Sequence, residues 1–239
     1  MRRSSQSRRG GGGPRRYPLG GRAFPALRSY FTELIAARRQ EPRDDLISGL
    51  VRAEVEGSRL TPDELIHLLI LLLVAGNETT RDLIGNTVLA LLEHPEQLAL
   101  LRSDPSLAPN AIEEVLRYSA PAQYMSRRAK AATVVGDARI EPGEEAVLWF
   151  GSANRDEQVF RDADAFDIRR ANANRHLTFG IGTHFCLGAP LARLEGAIAI
   201  EALLSRFGGI RRADNRELPH MPSLQHRGVR SLPLVVELA

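Results

Sequence analysis

Cysteine is nearly absent from this sequence: Cys186 stands alone among 239 residues. One thiol makes no internal disulfide, and it cannot build a structural zinc site, which takes three or four thiolate or imidazole ligands. The same scarcity fits a reducing, cytoplasmic compartment. Long apolar runs are missing too. The longest, "LIHLLILLLVAG" at 65–76, has twelve residues, includes His67 and is flanked by Asp63, Glu64 and Glu78. A membrane-spanning helix needs ~20 apolar residues, so a core helix is expected here and no membrane span. No apolar stretch follows the basic N-terminus, so no cleavable leader is expected. Lysine occurs once, as Lys130, among 32 basic residues; that bias points to a GC-rich genome rather than to a function. Aromatic residues make up 5% of the chain and do not interleave with basic ones, which argues against a nucleic-acid surface.

The basic charge is concentrated at one end. Residues 1–22 hold seven arginines, six glycines and no acid, and the whole chain is +3, which leaves the remainder at −4 (3 − 7). A tail of this composition cannot bury a core and is expected to be disordered. It is of a kind that touches nucleic acid or anionic lipid, but the mildly acidic body gives no reason to expect a specific nucleic-acid partner. Residues 23–239 remain as the folded portion.

That portion reads as mainly α with small β-sheets. Residues 24–40 carry apolar positions at helical spacing, "EPRDD" closes them, and "LISGLVRAEVEG" gives a second short helix. Thr61-Pro62-Asp63-Glu64 is a strong start signal, with Glu64 completing a capping box on Thr61. No proline follows until Pro95, so the helix it opens is expected to run to Leu92, and its apolar first half to cross the core. Pro95 and Pro109 start two shorter helices. "ATVVGDARIEPGEEAVLWF" alternates and turns at glycine as antiparallel strands do. Residues 191–209 read as a final amphipathic helix with a Gly-Gly stop, and "SLPLVVELA" as a terminal strand.

Three local features stand out, each with an unremarkable reading beside a functional one. In the long helix, "AGNETT" (75–80) puts Gly76, which costs about 1 kcal/mol relative to alanine in a helix interior, next to Glu78 and two threonines. This is either a solvated face with back-bonded threonines or a distortion where the backbone approaches a ligand. Glu114 and Arg117 are i, i+3 neighbours, and such a pair is usually an exposed one worth a few tenths of a kcal/mol. Finally, "FGIGTHFCLG" (179–188) sets Cys186 between glycines. It is a buried spectator, a nucleophile, or a single thiolate ligand to iron.

Together these features resemble the cytochrome P-450 family. "FGIGTHFCLG" resembles its cysteine loop, with Phe179, Gly182, Cys186 and Gly188 on the fixed positions and His184 as in the bacterial variant. "AGNETT" resembles the oxygen-activation segment of the family's long central helix, Glu114–Arg117 its E-x-x-R pair, and "ANRDEQVFRDADAFD" the stretch before the cysteine loop. The resemblance runs from about Ala23 to the C-terminus, is strongest to the soluble bacterial branch, and covers the C-terminal half of the family fold. Where the bacterial pattern carries an arginine to join Glu114 and Arg117, this chain has Ala165, and Arg169 and Arg170 are the candidate substitutes. The family's N-terminal sheet, a further propionate contact and the helices roofing the substrate pocket have no counterpart in this sequence.

The resemblance implies a haem-thiolate monooxygenase with haem b as cofactor and Cys186 as its axial iron ligand, a thiolate that favours O–O cleavage. Gly182 and Gly188 would let the chain turn and approach the ring, and Phe179 would pack beside the sulfur. Ala75 and Gly76 would lie over the opposite haem face, with Glu78 and Thr79 as a proton-relaying acid–alcohol pair. His184 and Arg127, the latter with Arg128 beside it, would hold the propionates. The implied partners are a small organic substrate and a ferredoxin-type electron donor with its reductase. The alternative is a truncated, catalytically inert remnant, whose uncovered apolar faces would drive association.

Overall fold

The computed structural model describes residues 20–53 and 58–239. The expectation of a disordered tail lies, for residues 1–19, outside them. Two compact units follow one another, one ending at Val74 and the other beginning at Ala75.

In the first unit, α1 (Gly20–Gln40) begins ahead of the Phe24 start read from the sequence, within the stretch assigned to the tail. Helix α2 (Leu46–Arg52) is capped by Asp45, which accepts from Ser48 N–H at 2.8 Å and from Arg38 Nε at 2.5 Å. The Arg38 bond first, then the Ser48 bond, hold the Asp45 carboxyl at about 2 instead of 3.8. Helix α3 (Pro62–Glu93) opens on the expected capping box: Thr61 N–H donates to Glu64 Oε2 at 2.8 Å and Glu64 N–H to Thr61 Oγ1 at 3.2 Å. Phe31, Ile35, Leu65, Ile66 and Leu69 form the core of this unit. The apolar start of α3 enters this core on one face only, where the expectation was a helix buried almost all round. One face packs on α1 and α2, while Leu71, Leu73 and Val74 are exposed.

In the second unit α3 buries apolar residues, Leu83, Val88, Ala90 and Leu91, and polar ones beside them. Thr80, Asp82, Asn86 and Thr87 are all buried. Asn86 Nδ2 donates to Ser119 O at 2.9 Å and to Arg227 O at 3.0 Å, tying the end of α5 to the C-terminal segment. Asp82 lies so close to Gly228 that a Cβ there would meet its carboxyl carbon at 2.4 Å. Only glycine fits under that carboxylate. Prolines open α4 (Pro95–Ser103) and sit in the first turn of α5 (Ala108–Tyr118), where a missing N–H costs nothing. The strands pair as three antiparallel two-stranded sheets: β1 (Tyr124–Arg128) with β4 (Glu145–Trp149), β2 (Thr133–Val135) with β3 (Ala138–Ile140), and β5 (Phe207–Arg212) with β6 (Leu234–Leu238). A short helix, α6 (Phe150–Ala153), follows β4 directly. The result is the expected mainly helical chain with small sheets.

Helix α7 (Ala189–Arg206) packs on α5 at Gly196, where a Cβ would come within 3.1 Å of Ile112 Cδ1. Two expectations about α7 are corrected. Its end is not a glycine stop. The chain passes straight into β5, which contains Gly208 and Gly209, and Arg102 donates to Leu204 O and Phe207 O, satisfying carbonyls that a glycine cap would otherwise serve. Nor is α7 simply amphipathic. Leu191, Leu194 and Ile198 are more than half exposed, while Gly196 and Ile200 are buried.

The pair on α5 that sequence alone reads as an exposed one is fully buried: Glu114 is 0% and Arg117 1% exposed. Arg117 bonds both Glu114 oxygens at 2.8 Å and donates to the carbonyls of Asn154, Ala163 and Ala165. Arg170 Nε joins Glu114 Oε1 at 3.2 Å and its other nitrogens reach the carbonyls of Arg161, Asp162 and Ala165. Arg170, not Arg169, thus supplies the cation missing at Ala165, and Ala165 contributes its carbonyl. Asp167 N–H adds a donor to Glu114 Oε1 at 3.0 Å. Removing one partner of a buried ion pair costs about 3–5 kcal/mol, and Glu114→Ala strips the anion from two guanidiniums at once. Against a total stability on the order of 5–15 kcal/mol, that variant is expected to lose its cooperative urea transition. A wild-type midpoint would contradict the cluster's role.

Candidate functional site

The chain reaches the cysteine loop along a buried polar path. Asn154 Oδ1 accepts from Leu177 N–H at 2.7 Å, Asn154 Nδ2 donates to Thr178 Oγ1 at 2.9 Å, and Thr178 Oγ1 donates to Leu116 O at 2.6 Å. These bonds pin the residue before Phe179 to the end of α5. From there the backbone doubles back. Gly180 and Gly182 both have φ of 70°, a left-handed conformation that glycine adopts without strain. A 3-10 turn at Gly182–His184 follows, and Cys186 N–H donates to Phe179 O at 2.9 Å. The turn thus uses Gly180, which the sequence reading passed over. Gly188 was expected to turn the chain, yet its φ is −82°, open to any residue; a Cβ there would stand 4.0 Å from the Cys186 sulfur.

Cys186 is exposed and lies three residues before α7. A cavity of ≈100 Å³ opens beside it, lined by Cys186 and Phe179 on the loop side, by Ala75, Thr79 and Leu83 of α3, and by Ala122. The structure therefore brings Ala75, Thr79, Phe179 and Cys186 into one slot. Thr79 Oγ1 donates to Ala75 O at 2.8 Å, the back-bonded geometry, with the hydroxyl still lining the slot. Glu78, Gly76, His184 and Arg127 are exposed and line no part of it; Arg127 Nη1 donates to its neighbour Ser126 O, and Arg128 Nη1 to Gly143 O. A larger cavity, ≈540 Å³ between α4 and α7, lies elsewhere, with Arg102 engaged on backbone carbonyls and no thiol in its lining.

Three further residues support Phe179, and the sequence reading named none of them. Glu113 receives Arg193 through Nε on Oε1 at 2.5 Å and Nη2 on Oε2 at 3.1 Å, and His176 Nε2 on Oε2 at 3.2 Å. Thr178 N–H donates to His176 Nδ1 at 3.2 Å, so the imidazole carries its hydrogen on Nε2. The Arg193 guanidinium sits 4.7 Å from the Phe179 ring centroid, and the His176 ring 5.6 Å from it. The one sequence clue was Glu113 beside Glu114: two adjacent carboxylates on a helix that is otherwise apolar toward the core.

Burial alone would raise the Glu113 carboxyl. The bonds from His176 and Arg193, with the guanidinium's charge, outweigh it and hold the group at about 2 instead of 4.5. A folded value below the unfolded one adds stability that is complete above the unfolded value and fades as pH falls through the folded one. Stability is therefore expected to drop between about pH 5 and pH 2, with Asp45 contributing in the same window. Denaturation midpoints of Glu113→Gln should fall less steeply across that window than those of the wild type. Parallel curves would show that Glu113 carries no such linkage.

Comparison with known proteins places these features. The family model Cytochrome P450 matches residues 22–222. Cytochrome P450 107B1 of Saccharopolyspora erythraea is 50% identical over 214 residues, 89% of this chain and 53% of the relative. The Biotin biosynthesis cytochrome P450 of Bacillus subtilis is 44% identical over 209 residues, 87% of this chain and 52% of the relative. The crystal structure of CYP109E1 from Bacillus megaterium in complex with testosterone superposes with a TM-score of 0.87 at 40% identity, over 91% of this chain and 60% of that one. The chain spans about half the length of the curated relatives it matches. Because the matched stretch takes in both the slot-lining turn of α3 and the whole cysteine loop, the chain belongs to the cytochrome P450 family.

Proposed function

We propose that this chain carries the thiolate and the proton-delivering helix of a haem-dependent monooxygenase, which places one oxygen atom of O2 into a small organic substrate. The observation that carries the reading is the single thiol sharing a slot with Ala75 and Thr79. Among the described residues no group of three His, Cys, Asp or Glu is placed to hold a metal. A metal bound here through one sulfur must bring its other ligands with it. A haem does so, and the apolar wall of Ala75, Leu83 and Ala122 would face part of the macrocycle, whose bulk exceeds the ≈100 Å³ slot. Cys186 would hold the iron of haem b, and that group would supply the redox chemistry that O2 reduction needs.

The chain's own residues have distinct tasks. Cys186, three residues before α7, would supply the single sulfur ligand. Phe179 keeps water off one side of the sulfur. The Thr79 hydroxyl, spending its proton on Ala75 O, retains lone pairs that can take a proton from outside and release its own into the slot. Exposed Glu78, next in sequence, exchanges protons with bulk water. Arg127 and His184 are exposed donors for the haem carboxylates. By resemblance to bacterial members of the family, electrons arrive from a ferredoxin-type protein with its reductase. No helix among the described residues is long and apolar enough to cross a membrane, and the lone thiol fits a cytoplasmic setting. An inert remnant is the second reading. The exposed Leu187, Leu191, Leu194 and Ile198 favour it for the chain alone.

Two substitutions test the assignment in a chain extended to full length with the preceding segment of the Saccharopolyspora relative. The reduced, CO-bound protein should show the red-shifted Soret band of a thiolate-ligated haem, and Cys186→Ser should abolish it. A surviving band would mean that another residue is the ligand. Thr79→Ala should leave that band unchanged but divert reducing equivalents to peroxide. Wild-type coupling of electron use to product would remove Thr79 from the proton path.

A further inference from the structure

The site depends on where the Phe179 ring lies, and the loop does not fix that ring by itself. Its backbone is secured by the Cys186 N–H bond to Phe179 O, but two left-handed glycines follow it and offer no side chain to pack. The ring packs at the edge of the main apolar core, and its other ring and cation neighbours are the Phe185 ring at 6.4 Å, the His176 ring at 5.6 Å and the Arg193 guanidinium at 4.7 Å. Phe185 is itself half exposed. Arg193 is the best anchored of the three, because Glu113 grips it through both oxygens from α5.

We propose that Arg193 is a positioning residue for the Cys186 ligand: clamped by Glu113, its guanidinium face holds the Phe179 ring against the sulfur side of the slot. The inference rests on the assignment of Cys186 as the haem ligand. Charge alone does not explain the arrangement, since Glu113 neutralises Arg193 at hydrogen-bond distance. What reaches Phe179 is a flat, weakly hydrated surface, which arginine has and lysine lacks. A simple tie between α5 and α7 would need only the ion pair, and lysine can make one. The two roles therefore separate on Arg193→Lys.

Hydrogen exchange of the 179–188 segment in the chain as it stands, alongside urea denaturation, provides the test. Arg193→Lys should leave the denaturation midpoint near that of the wild type while speeding exchange in this segment about two- to fivefold, the range expected for losing a partly exposed cation–ring contact. Phe179→Leu, which keeps the ion pair but removes the ring, should speed it equally, and Phe179→Tyr should restore the wild-type rate. The proposal is overturned if the lysine variant exchanges like the wild type, or if exchange rises in every segment in step with lost stability. In the haem-loaded, extended protein, Arg193→Lys should also raise the iron reduction potential, because a loosened ring admits water to hydrogen-bond the sulfur. An unshifted potential alongside a thiolate-type CO band would count against Arg193. Absence of that band in the wild type would instead count against the haem-ligand assignment and leave the exchange result to stand or fall separately.

Discussion

One buried carboxylate organises this half of the molecule. Glu114 sits at 0% exposure with two guanidiniums on it, and those guanidiniums hold the carbonyls of Asn154, Arg161, Asp162, Ala163 and Ala165. An ion cluster in a low-dielectric interior is tolerated only when every polar atom is matched. Here the irregular stretch 154–170 does the matching. A segment with almost no regular structure is thereby held rigid, and Asn154 at its start carries the order forward to Thr178 and the cysteine loop. The thiol's position is therefore set from α5, through a chain of satisfied backbone groups, rather than by the loop's own packing.

The features legible in the sequence were those written within a few residues of one another. The Thr61–Glu64 box, the prolines at the starts of α4 and α5, the hairpin strands and the Cys186 loop all announce themselves locally. What could not be read involved partners far apart in the chain. Glu114 and Arg117 look like any surface pair until residues 154–170 close over them, and nothing local distinguishes Arg170 from Arg169. The Gly208–Gly209 pair imitates a helix stop because the competing cap, Arg102, lies about a hundred residues earlier. Likewise the Glu113–His176–Arg193 group is assembled from three separate elements. Of the candidate site, Ala75, Thr79, Phe179 and Cys186 line one slot, while Glu78, His184 and Arg127 are exposed outside it. The roles proposed for those three would depend on a bound group, which the chain's own packing does not record.

The slot itself is sparing in charge. Its walls are small or apolar side chains, one hydroxyl and one thiol, while the titratable groups that steady it, Glu113 and Arg193, cancel each other behind Phe179. A sulfur in such surroundings is shaped by geometry and hydration more than by any neighbouring full charge. That places its tuning in aromatic packing and in the two left-handed glycines of the loop.

The span of Asn86 has a consequence for how the chain is made. Its amide bridges Ser119 O and Arg227 O, the latter 141 residues downstream. A ribosome adds on the order of 5–20 residues per second, so α3 waits roughly 7 to 28 seconds for that acceptor to emerge. Throughout that interval Asp82 lacks the Gly228 backbone that will cover it. The helix that is to line the slot therefore spends its early life with its polar face open, next to the exposed leucines that precede it. Synthesis rate and chaperone access, as much as sequence, then govern how many copies reach the assembled state.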